Sequence, residues 1–390
     1  MLVGGLSPGG ASAQALRLRA NAVAQTRSPV GLLVLEGQDR KAPWLDAESV
    51  VWLGLTDPAS ANAALGTAGD VVTVSVRFRD VKSGSELRVG RMVVSMGAVR
   101  PIHLDGARGL VRVLGDNTFE TFVGAPVQPR FDYRKAEWAA GGRLGRGFAD
   151  TALVGASYFR RQSDGDRADE EVGLDVTLTP KAWLTATGRA SFDLLARGPA
   201  DVLASVSAQS EDVRIEAFTT HRSPGRLLPA TSLFSVLGDY AATSVGSTVR
   251  WRAFPRLELV ATGSLQSQGD EIGGQGTGRA TLSLDDAWAG TIGFEMRRVQ
   301  LGNSRWIGAR ALVALPLASR FRVGAEVEIV RPDDPRGRGS LWPWVLGAVG
   351  YRPSEGWDIA IGLEASAGPS SRGEAHGLVR VSYAFERGGR

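Results

Sequence analysis

Hydrophobic residues occupy every second position along many segments of this chain. In one segment Val72, Val74 and Val76 alternate with the polar residues Thr73 and Ser75. The same alternation recurs near residues 16–22, 172–178, 257–266, 321–329, 357–364 and 379–385. Because successive side chains of a β-strand point to opposite faces, this period of two predicts strands with one apolar and one polar face. The 3.6-residue period of a helix is sustained nowhere, so the chain is predicted to be all-β.

The segments between these predicted strands fall into two length classes that alternate along the chain. Short turns are predicted at residues 179–182, 210–212, 253–256, 285–286, 315–319 and 352–356. Longer loops rich in Gly, Ser, Asp and Arg are predicted at residues 162–168, 193–200, 222–243, 267–277, 331–339 and 368–375. Segregation of short and long connections to opposite ends is typical of a β-barrel that crosses a membrane.

The last predicted strand and the aromatic residues carry a resemblance to a known class of protein. Residues 377–385 begin with a glycine, place apolar residues at alternate positions and end on an aromatic residue. This segment resembles the closing strand of bacterial outer-membrane β-barrels, which the barrel-insertion machinery reads. Five aromatic residues lie beside predicted short turns or at the final strand end, in the outward register: Trp288, Phe321, Tyr351, Trp357 and Phe385. Amphipathic rings favour the lipid headgroup boundary, so these residues predict a membrane girdle.

Together these signals predict a single closed antiparallel transmembrane β-barrel in the bacterial outer membrane, with short periplasmic turns and longer external loops. Candidate strands number fourteen from residue 150 onwards and at most eight before it, so 18 to 22 strands are expected. The barrel is predicted to span residues 16–385, followed by a C-terminal tail at residues 386–390. Residues 1–15 end in an Ala-Gln-Ala pattern and are predicted to be a signal-peptide remnant.

The front third of the chain is less regular than the rest. Residues 96–107 and 125–129 are expected either to fold inward or to run over the rim of the barrel. The segments at residues 87–91, 102–107 and 119–126 resemble hairpins of porin-like outer-membrane proteins, in particular alginate-exporter-type and myxobacterial polysaccharide-export barrels. The sequence offers no counterpart of the plug domain of TonB-dependent transporters, which argues against that class.

Composition and charge narrow the function classes. The 390 residues include 45 Lys and Arg against 41 Asp and Glu, a formal net charge of +4, and no Cys. The basic residues are interspersed with the acids, which argues against nucleic-acid binding. The absence of cysteine excludes disulfides and thiolate chemistry. His103, His221 and His376 stand apart from one another in the sequence, so no metal site, catalytic site or cofactor is predicted, and the chain is predicted not to be an enzyme.

If the apolar register faces lipid, the alternate register faces a water-filled lumen. The predicted pore-lining residues are Arg77, Arg79, Arg189, Arg214, Arg250, Arg252, Arg279, Arg297, Arg310, Arg322, Glu216, Glu258, Glu326 and Glu328. Excess arginine favours passage of anionic or sugar-like solutes, because guanidinium groups pair with carboxylates and phosphates and stack on rings. The alternative is that inward Arg and Glu pair across neighbouring strands and stiffen the wall.

Three functions remain open from the sequence. The first is a passive conduit, either a porin or a polysaccharide-export channel, with an Arg-rich polar lumen. The second is a structural barrel that anchors a trans-envelope motility or secretion complex and has no essential pore function. The third, a barrel-rim enzyme, is supported only by His221 beside Arg222 and Ser223. The expected partners are outer-membrane lipid, the barrel-insertion machinery, and periplasmic or outer-membrane proteins of an export or motility complex.

Overall fold

The computed structural model describes residues 15–25, 31–55, 67–113, 116–127, 137–149, 151–223, 241–302, 304–335, 340–368 and 371–388. The strands are β1 (Ala15–Gln25), β2 (Gly31–Ala42), β3 (Leu45–Leu55), β4 (Thr67–Arg79), β5 (Glu86–Val94), β6 (Ile102–Val113), β7 (Asn117–Pro126), β8 (Glu137–Phe148), β9 (Ala152–Ser163), β10 (Asp166–Lys181), β11 (Leu184–Asp193), β12 (Gly198–Gln209), β13 (Val213–Arg222), β14 (Ala242–Phe254), β15 (Leu257–Gln268), β16 (Glu271–Ser283), β17 (Thr291–Leu301), β18 (Ser304–Ala318), β19 (Phe321–Pro332), β20 (Trp342–Tyr351), β21 (Trp357–Gly368) and β22 (Ser371–Gly388).

These strands form one closed sheet of 22 strands. Each strand pairs antiparallel with its neighbours in the chain, and β1 also pairs with β22, which closes the barrel. The predicted all-β closed antiparallel barrel is therefore confirmed, with the strand number at the upper end of the expected range. β1 begins at Ala15 and β22 ends at Gly388, and residues 1–14 lie outside the described part of the chain. The division into a signal-peptide remnant, a barrel and a tail stays a prediction. No helix among the described residues is long and apolar enough to cross a membrane.

The outer face of the barrel exposes large apolar side chains. Leu363 in β21 is 71% exposed and Leu265 in β15 is 67% exposed. In β4 the valines at alternate positions are exposed, whereas Thr73 and Ser75 between them are buried on the inner face. Apolar patches of this extent are not stable in water, but hydrocarbon solvates them. The period of two in the sequence thus separates an apolar outer face from a polar inner face.

The two ends of the barrel differ in their connections, but less than the sequence indicated. One end, called the short-turn end, carries the connections after the even-numbered strands, of which the longest is residues 284–290. At the opposite end, residues 56–66 and 223–241 separate consecutive strands. Three of the predicted long loops, at residues 162–168, 267–277 and 368–375, consist largely of paired strand residues, with only two residues between the strands. Ladder pairing continues where glycine and polar residues break the alternation, so those segments were mistaken for loops.

Three directly paired glycines cross β5, β6 and β7 at one level of the wall. Gly90 pairs with Gly106, and Gly106 pairs with Gly124. A Cβ on Gly124 would lie 2.5 Å from the carbonyl oxygen of Asp105, and Gly90 has a φ of +127°, which favours glycine. The missing side chains allow a sharp bend of the sheet. Beyond this row, residues 92–104 turn into the lumen; we call this segment the inner hairpin.

The bend separates the tip of β5 from β4. The ladder between these strands covers only six residue pairs and ends where Val74 pairs with Arg91. Two residues of β4 that precede Val74 instead accept hydrogen bonds from side chains. The Arg91 Nη1 donates to the carbonyl oxygen of Val71 at 3.0 Å, and the His103 Nε2 donates to the carbonyl oxygen of Val72 at 2.6 Å. Unpaired backbone groups facing lipid are costly. Two side chains therefore replace the missing ladder hydrogen bonds at this seam.

Candidate functional site

The inner face of the barrel carries the arginines and acids that the sequence assigned to the lumen. In β14, Arg250 and Arg252 alternate with the exposed, outward-facing Val249 and Trp251. The same register holds on the other strands, so the predicted bases and acids all lie opposite the exposed apolar residues. Charge on the lipid face would cost about 2–4 kcal/mol at the midplane, which explains why these side chains share one register.

Most of these inner arginines are paired with acids on the same or a neighbouring strand. The Arg250 Nε lies 2.8 Å from Glu258 Oε2, and the Arg189 Nη2 lies 3.2 Å from Asp201 Oδ2. Ion pairs of this kind involve eight of the ten predicted arginines: Arg77, Arg79, Arg189, Arg214, Arg250, Arg297, Arg310 and Arg322. Pairs that water can reach stabilise a protein by only about 0–1 kcal/mol each. Their main consequence is that much of the positive charge of the wall is neutralised locally.

The inner hairpin packs against the inner wall of β7, β8 and β9. The buried side chains that form this apolar cluster are Met92, Val94, Met96, Val99, Leu104, Phe122, Ala139 and Phe159. The rings of Phe122 and Phe159 stack with centroids 6.2 Å apart, above Gly141, where a Cβ would collide with Phe122. Burying a large apolar side chain is favourable by about 1.5–3 kcal/mol, so this cluster holds the hairpin inside the barrel.

An arginine at the tip of the hairpin attaches it to β10. The Arg100 Nε donates to Glu171 Oε1 at 2.6 Å, and the Arg100 backbone N–H donates to Glu171 Oε2 at 3.1 Å. The Arg100 Nη1 also lies 2.9 Å from Asp169 Oδ1, whose other oxygen lies 2.6 Å from Arg161 Nε. Glu171 is fully buried. We call Arg100, Asp169 and Glu171 the latch, because they connect the hairpin to the wall through charge-assisted hydrogen bonds.

Small residues allow the hairpin tip to approach the wall. Ala98 lies over Gly173, where a Cβ would come within 2.8 Å of the Ala98 side chain. Gly97 has a φ of +54° and lies beside the ion pair of Arg143 and Asp175, in which Nε and Oδ1 are 3.0 Å apart. A side chain at either glycine would push the hairpin away from β10. The position of the hairpin therefore depends on both packing and charge.

The sequence left open whether this region folds inward or over the rim, and the structure decides for residues 96–104. In the second stretch, 125–129, Pro126 pairs with β6 and the Val127 N–H donates to the His103 carbonyl oxygen, while residues 128 and 129 lie outside the described residues.

The latch residues were not predicted. A signal was present, because Asp169 and Glu171 occupy alternate positions of β10, but their partner Arg100 is 71 residues from Glu171 in the chain.

Aromatic residues surround the short-turn end of the barrel. Phe321 stacks on Tyr351 and Trp357 contacts Tyr383, each with ring centroids 4.7 Å apart, and Phe385 is exposed near the end of β22. Exposed aromatics at the same end that the sequence interpretation missed are Trp44, Phe78, Phe148, Trp183 and Phe254. Each of these five residues lies in or next to a connection between strands, and this position in the sequence is the signal that could have identified them. That this ring of aromatics lies at a lipid headgroup boundary stays a prediction.

Trp288 differs from its predicted place on an outward strand register. It lies half-buried in the connection between β16 and β17, with a φ of +56°. That connection is longer than the predicted turn because Asp285 organises it: its carboxylate accepts hydrogen bonds from the N–H groups of Ala289 at 3.0 Å and Gly290 at 2.7 Å. These backbone donors lower the pKa of Asp285 below its ordinary value.

The same fold occurs in solved structures of other barrels. The copper transporter OprC superimposes with a TM-score of 0.62 at 11% identity, covering 97% of this chain and 82% of OprC. The ferric enterobactin receptor PfeA from Pseudomonas aeruginosa gives 0.59 at 10% identity, covering 97% and 81%. The translocation pore of the P pilus usher PapC gives 0.54 at 9% identity, covering 95% and 99%. No family model and no characterised protein matches at the sequence level. These similarities establish the fold, which is that of outer-membrane β-barrels with transporter, receptor and usher functions.

Proposed function

We propose that the chain is a passive conduit of the bacterial outer membrane, acting as a porin or a polysaccharide-export channel. The observation that supports this proposal is the inner hairpin, which Arg100 ties to Asp169 and Glu171 of the wall inside a polar-lined barrel. A hairpin that narrows a hydrated lumen restricts the size of the solute without closing a wide barrel. Export of a polysaccharide is the finer alternative that the resemblance of the front segments favours.

The solutes of this conduit are proposed to be anionic or sugar-like. Arginine side chains on the inner face can pair with carboxylate or phosphate groups and can stack on sugar rings. Because most inner arginines already have an acidic partner, selectivity is expected to come from the few places where basic groups outnumber acids. The wall as a whole is expected to show only a modest preference for anions.

Conductance across planar lipid bilayers tests this function. The purified barrel is expected to form ion-conducting channels, and replacing Arg250, Arg252, Arg279 and Arg310 together by Ser is expected to move the reversal potential in a KCl gradient toward cation selectivity. Lys82→Ser is a suitable control, since Lys82 is exposed in the connection between β4 and β5. Absence of conductance, or a reversal potential that does not respond to the four substitutions, would refute the proposed conduit.

The second candidate is a structural barrel that anchors a trans-envelope complex of the motility or secretion type. The observation that favours it is the pairing of inner arginines with acids, which stiffens a wall and reduces its charge. Its partners would be periplasmic or outer-membrane proteins of that complex, besides membrane lipid and the insertion machinery. Copurification of a defined protein with a non-conducting barrel from native membranes would support this function.

A further inference from the structure

The inner wall formed by β18 to β22 contains a hollow that the conduit function does not require. Two adjacent inward-facing rows of small residues line it. In one row Gly350 pairs with Ala360, and in the next Ala348 pairs with Gly362. Because these side chains are so small, the wall is thinned to a concavity of about 690 Å³. This volume lies within the range of about 300–1,000 Å³ that is typical of small-molecule sites.

Arginines dominate the charge of this hollow. Its lining includes Arg320, Arg322, Arg352 and Arg380 and no acidic side chain. Three of these arginines converge on the single carboxylate of Asp358: Arg322 at 2.5 Å, Arg352 at 3.1 Å and Arg380 at 3.3 Å. One carboxylate neutralises one of three guanidinium groups, so two positive charges remain in excess. Glu86 also meets three arginines, but two of them, Arg77 and Arg108, have a second acidic partner in Asp46 and Glu120.

The placement of two of these arginines depends on the small residues between them. Arg322 pairs with Gly350, Gly350 with Ala360, and Ala360 with Arg380. The two arginines therefore stand at the two ends of one row of paired residues that crosses β19 to β22. A Cβ on Gly350 would lie 2.6 Å from the Arg322 Nε. The Arg322 side chain therefore crosses over Gly350 to reach Asp358. The guanidinium groups border the small-residue wall rather than filling the hollow.

Apolar side chains adjoin this cluster in a register that elsewhere carries polar groups. Leu346, Leu378 and Val23 all line the hollow, and Val23 pairs directly with Arg380. The alternate residues of the same strands, such as Val379 and Ile361, belong to the outer register and are exposed, although they also border the hollow. Apolar side chains that face a hydrated lumen are not stabilised by their contact with water, but they can pack against an apolar portion of a ligand.

We propose that this hollow binds an amphiphilic organic anion, with a carboxylate or phosphate group on Arg322 and Arg380 and an apolar body against Leu346 and Leu378. Excess guanidinium groups supply the charge-assisted, bidentate hydrogen bonds that such head groups accept. The hollow opens at the short-turn end, because Ser319 and Arg320 of the connection between β18 and β19 form part of its lining. The site rests on the proposed conduit, since a ligand must reach the inner wall, and it names the solute class of that conduit.

Isothermal titration calorimetry of the full-length barrel in an uncharged detergent tests the site directly. The probes are phenyl phosphate and benzoate as amphiphilic anions, inorganic phosphate and acetate as anions without an apolar body, and benzyltrimethylammonium as a cation. Phenyl phosphate and benzoate are expected to bind at least about tenfold more tightly than inorganic phosphate and acetate, and the cation is expected not to bind. The stronger of the two amphiphilic probes identifies the head group as phosphate or carboxylate.

Variants separate the two halves of the site. Replacing Arg322 and Arg380 together by Gln is expected to raise the dissociation constant of the preferred probe at least about tenfold. Leu346→Ser with Leu378→Ser is expected to remove the preference for phenyl phosphate over inorganic phosphate. Arg250→Gln is the matched control, since Arg250 is an inner arginine with its own acidic partner. Gly350→Ala keeps every charge of the site and displaces only the Arg322 side chain. It therefore tests whether binding of the preferred probe depends on where the Arg322 guanidinium group lies.

The outcomes distinguish this site from the conduit itself. Equal binding of phenyl phosphate and inorganic phosphate by the unmodified barrel would overturn the site, as would unchanged binding in a folded Arg322 and Arg380 double variant. If that double variant does not fold, the order of probe affinities in the unmodified barrel and the effect of the Leu346 and Leu378 substitutions still test the site. A barrel that binds phenyl phosphate but conducts no ions would refute the conduit alone, and a conducting barrel without the probe preference would refute the site alone.

Discussion

Glu171→Gln is the substitution that should release the inner hairpin most selectively. The carboxylate of Glu171 is fully buried and accepts two hydrogen bonds from Arg100, at 2.6 Å from Nε and 3.1 Å from the backbone N–H. A neutral amide of nearly the same shape keeps one acceptor and loses the charge. Hydrogen bonds to charged groups contribute about 1.5–3 kcal/mol, and Asp169 still holds the Nη1 of Arg100, so the expected loss is about 2 kcal/mol.

A loss of about 2 kcal/mol raises the ratio of detached to attached hairpin roughly thirtyfold. Hydrogen exchange followed by mass spectrometry should show this as faster exchange of the peptide that covers residues 92–104, while the peptides of β14 to β22 are unchanged. In bilayers, the same variant should switch more often between conductance levels. Glu258→Gln is the matched control, because Glu258 also accepts two hydrogen bonds from one arginine, Arg250, far from the hairpin. Unchanged exchange in the hairpin of a folded Glu171→Gln barrel would show that apolar packing alone holds it.

Three further predictions concern the wall and its turns. Gly106→Val should prevent the sharp bend and lower the yield of folded, heat-modifiable barrel on electrophoresis, because a Cβ there would collide with the backbone of β7. Leu363→Arg places a charge on the lipid face and should destabilise the barrel in vesicles by about 2–4 kcal/mol in urea titrations, whereas Thr262→Arg on the inner face should cost much less. The pKa of Asp285 is lowered in the folded barrel, so its stabilisation of the turn is present above the unfolded pKa and is lost as the pH falls through the folded pKa, below 3.8. Exchange protection of the Gly290 amide should therefore be present at pH 6 and decline as the pH is lowered through the folded pKa of Asp285. Protection that stays constant throughout an acid titration of the folded barrel would contradict the assignment.

The inner hairpin and the arginine hollow divide the lumen into two zones with different chemistry. The hairpin lies at the end of the barrel opposite the short turns, where β5 and β6 meet, and it combines apolar packing with a buried latch. The hollow lies near the short-turn end, on β18 to β22. A solute that crosses the barrel would meet one zone after the other. Size restriction and charge selection are therefore expected to respond to different substitutions.

The alternating pattern by itself determined the class of fold, the two faces of the wall and most of its strands. Val72 to Phe78 and Val379 to Phe385 each specify their own orientation, because a period of two is a property of one strand and needs no information about its neighbours. Phe321, Tyr351, Trp357 and Phe385 lie on strands near the short-turn end, and their role as a membrane girdle stays a prediction. The pattern overestimated the length of three loops, because strand segments rich in glycine and polar residues lose the alternation while keeping their ladder hydrogen bonds.

Only the tertiary structure decided what the lumen contains. In β5, Leu87, Val89 and Val93 occupy the exposed register, whereas Met92 and Val94 are apolar residues in the inner register, where the alternation predicts polar ones. This local break in the pattern does not by itself say whether the strand stays in the wall or turns inward. The turn requires three glycines on three strands to be paired in a row, and register between strands is fixed by the whole ladder rather than by any one segment. The same holds for Asp358, whose three arginines come from β19, β22 and the connection after β20. Contacts between residues distant in sequence depend on how the barrel closes, and for that physical reason the sequence pattern could not reveal them.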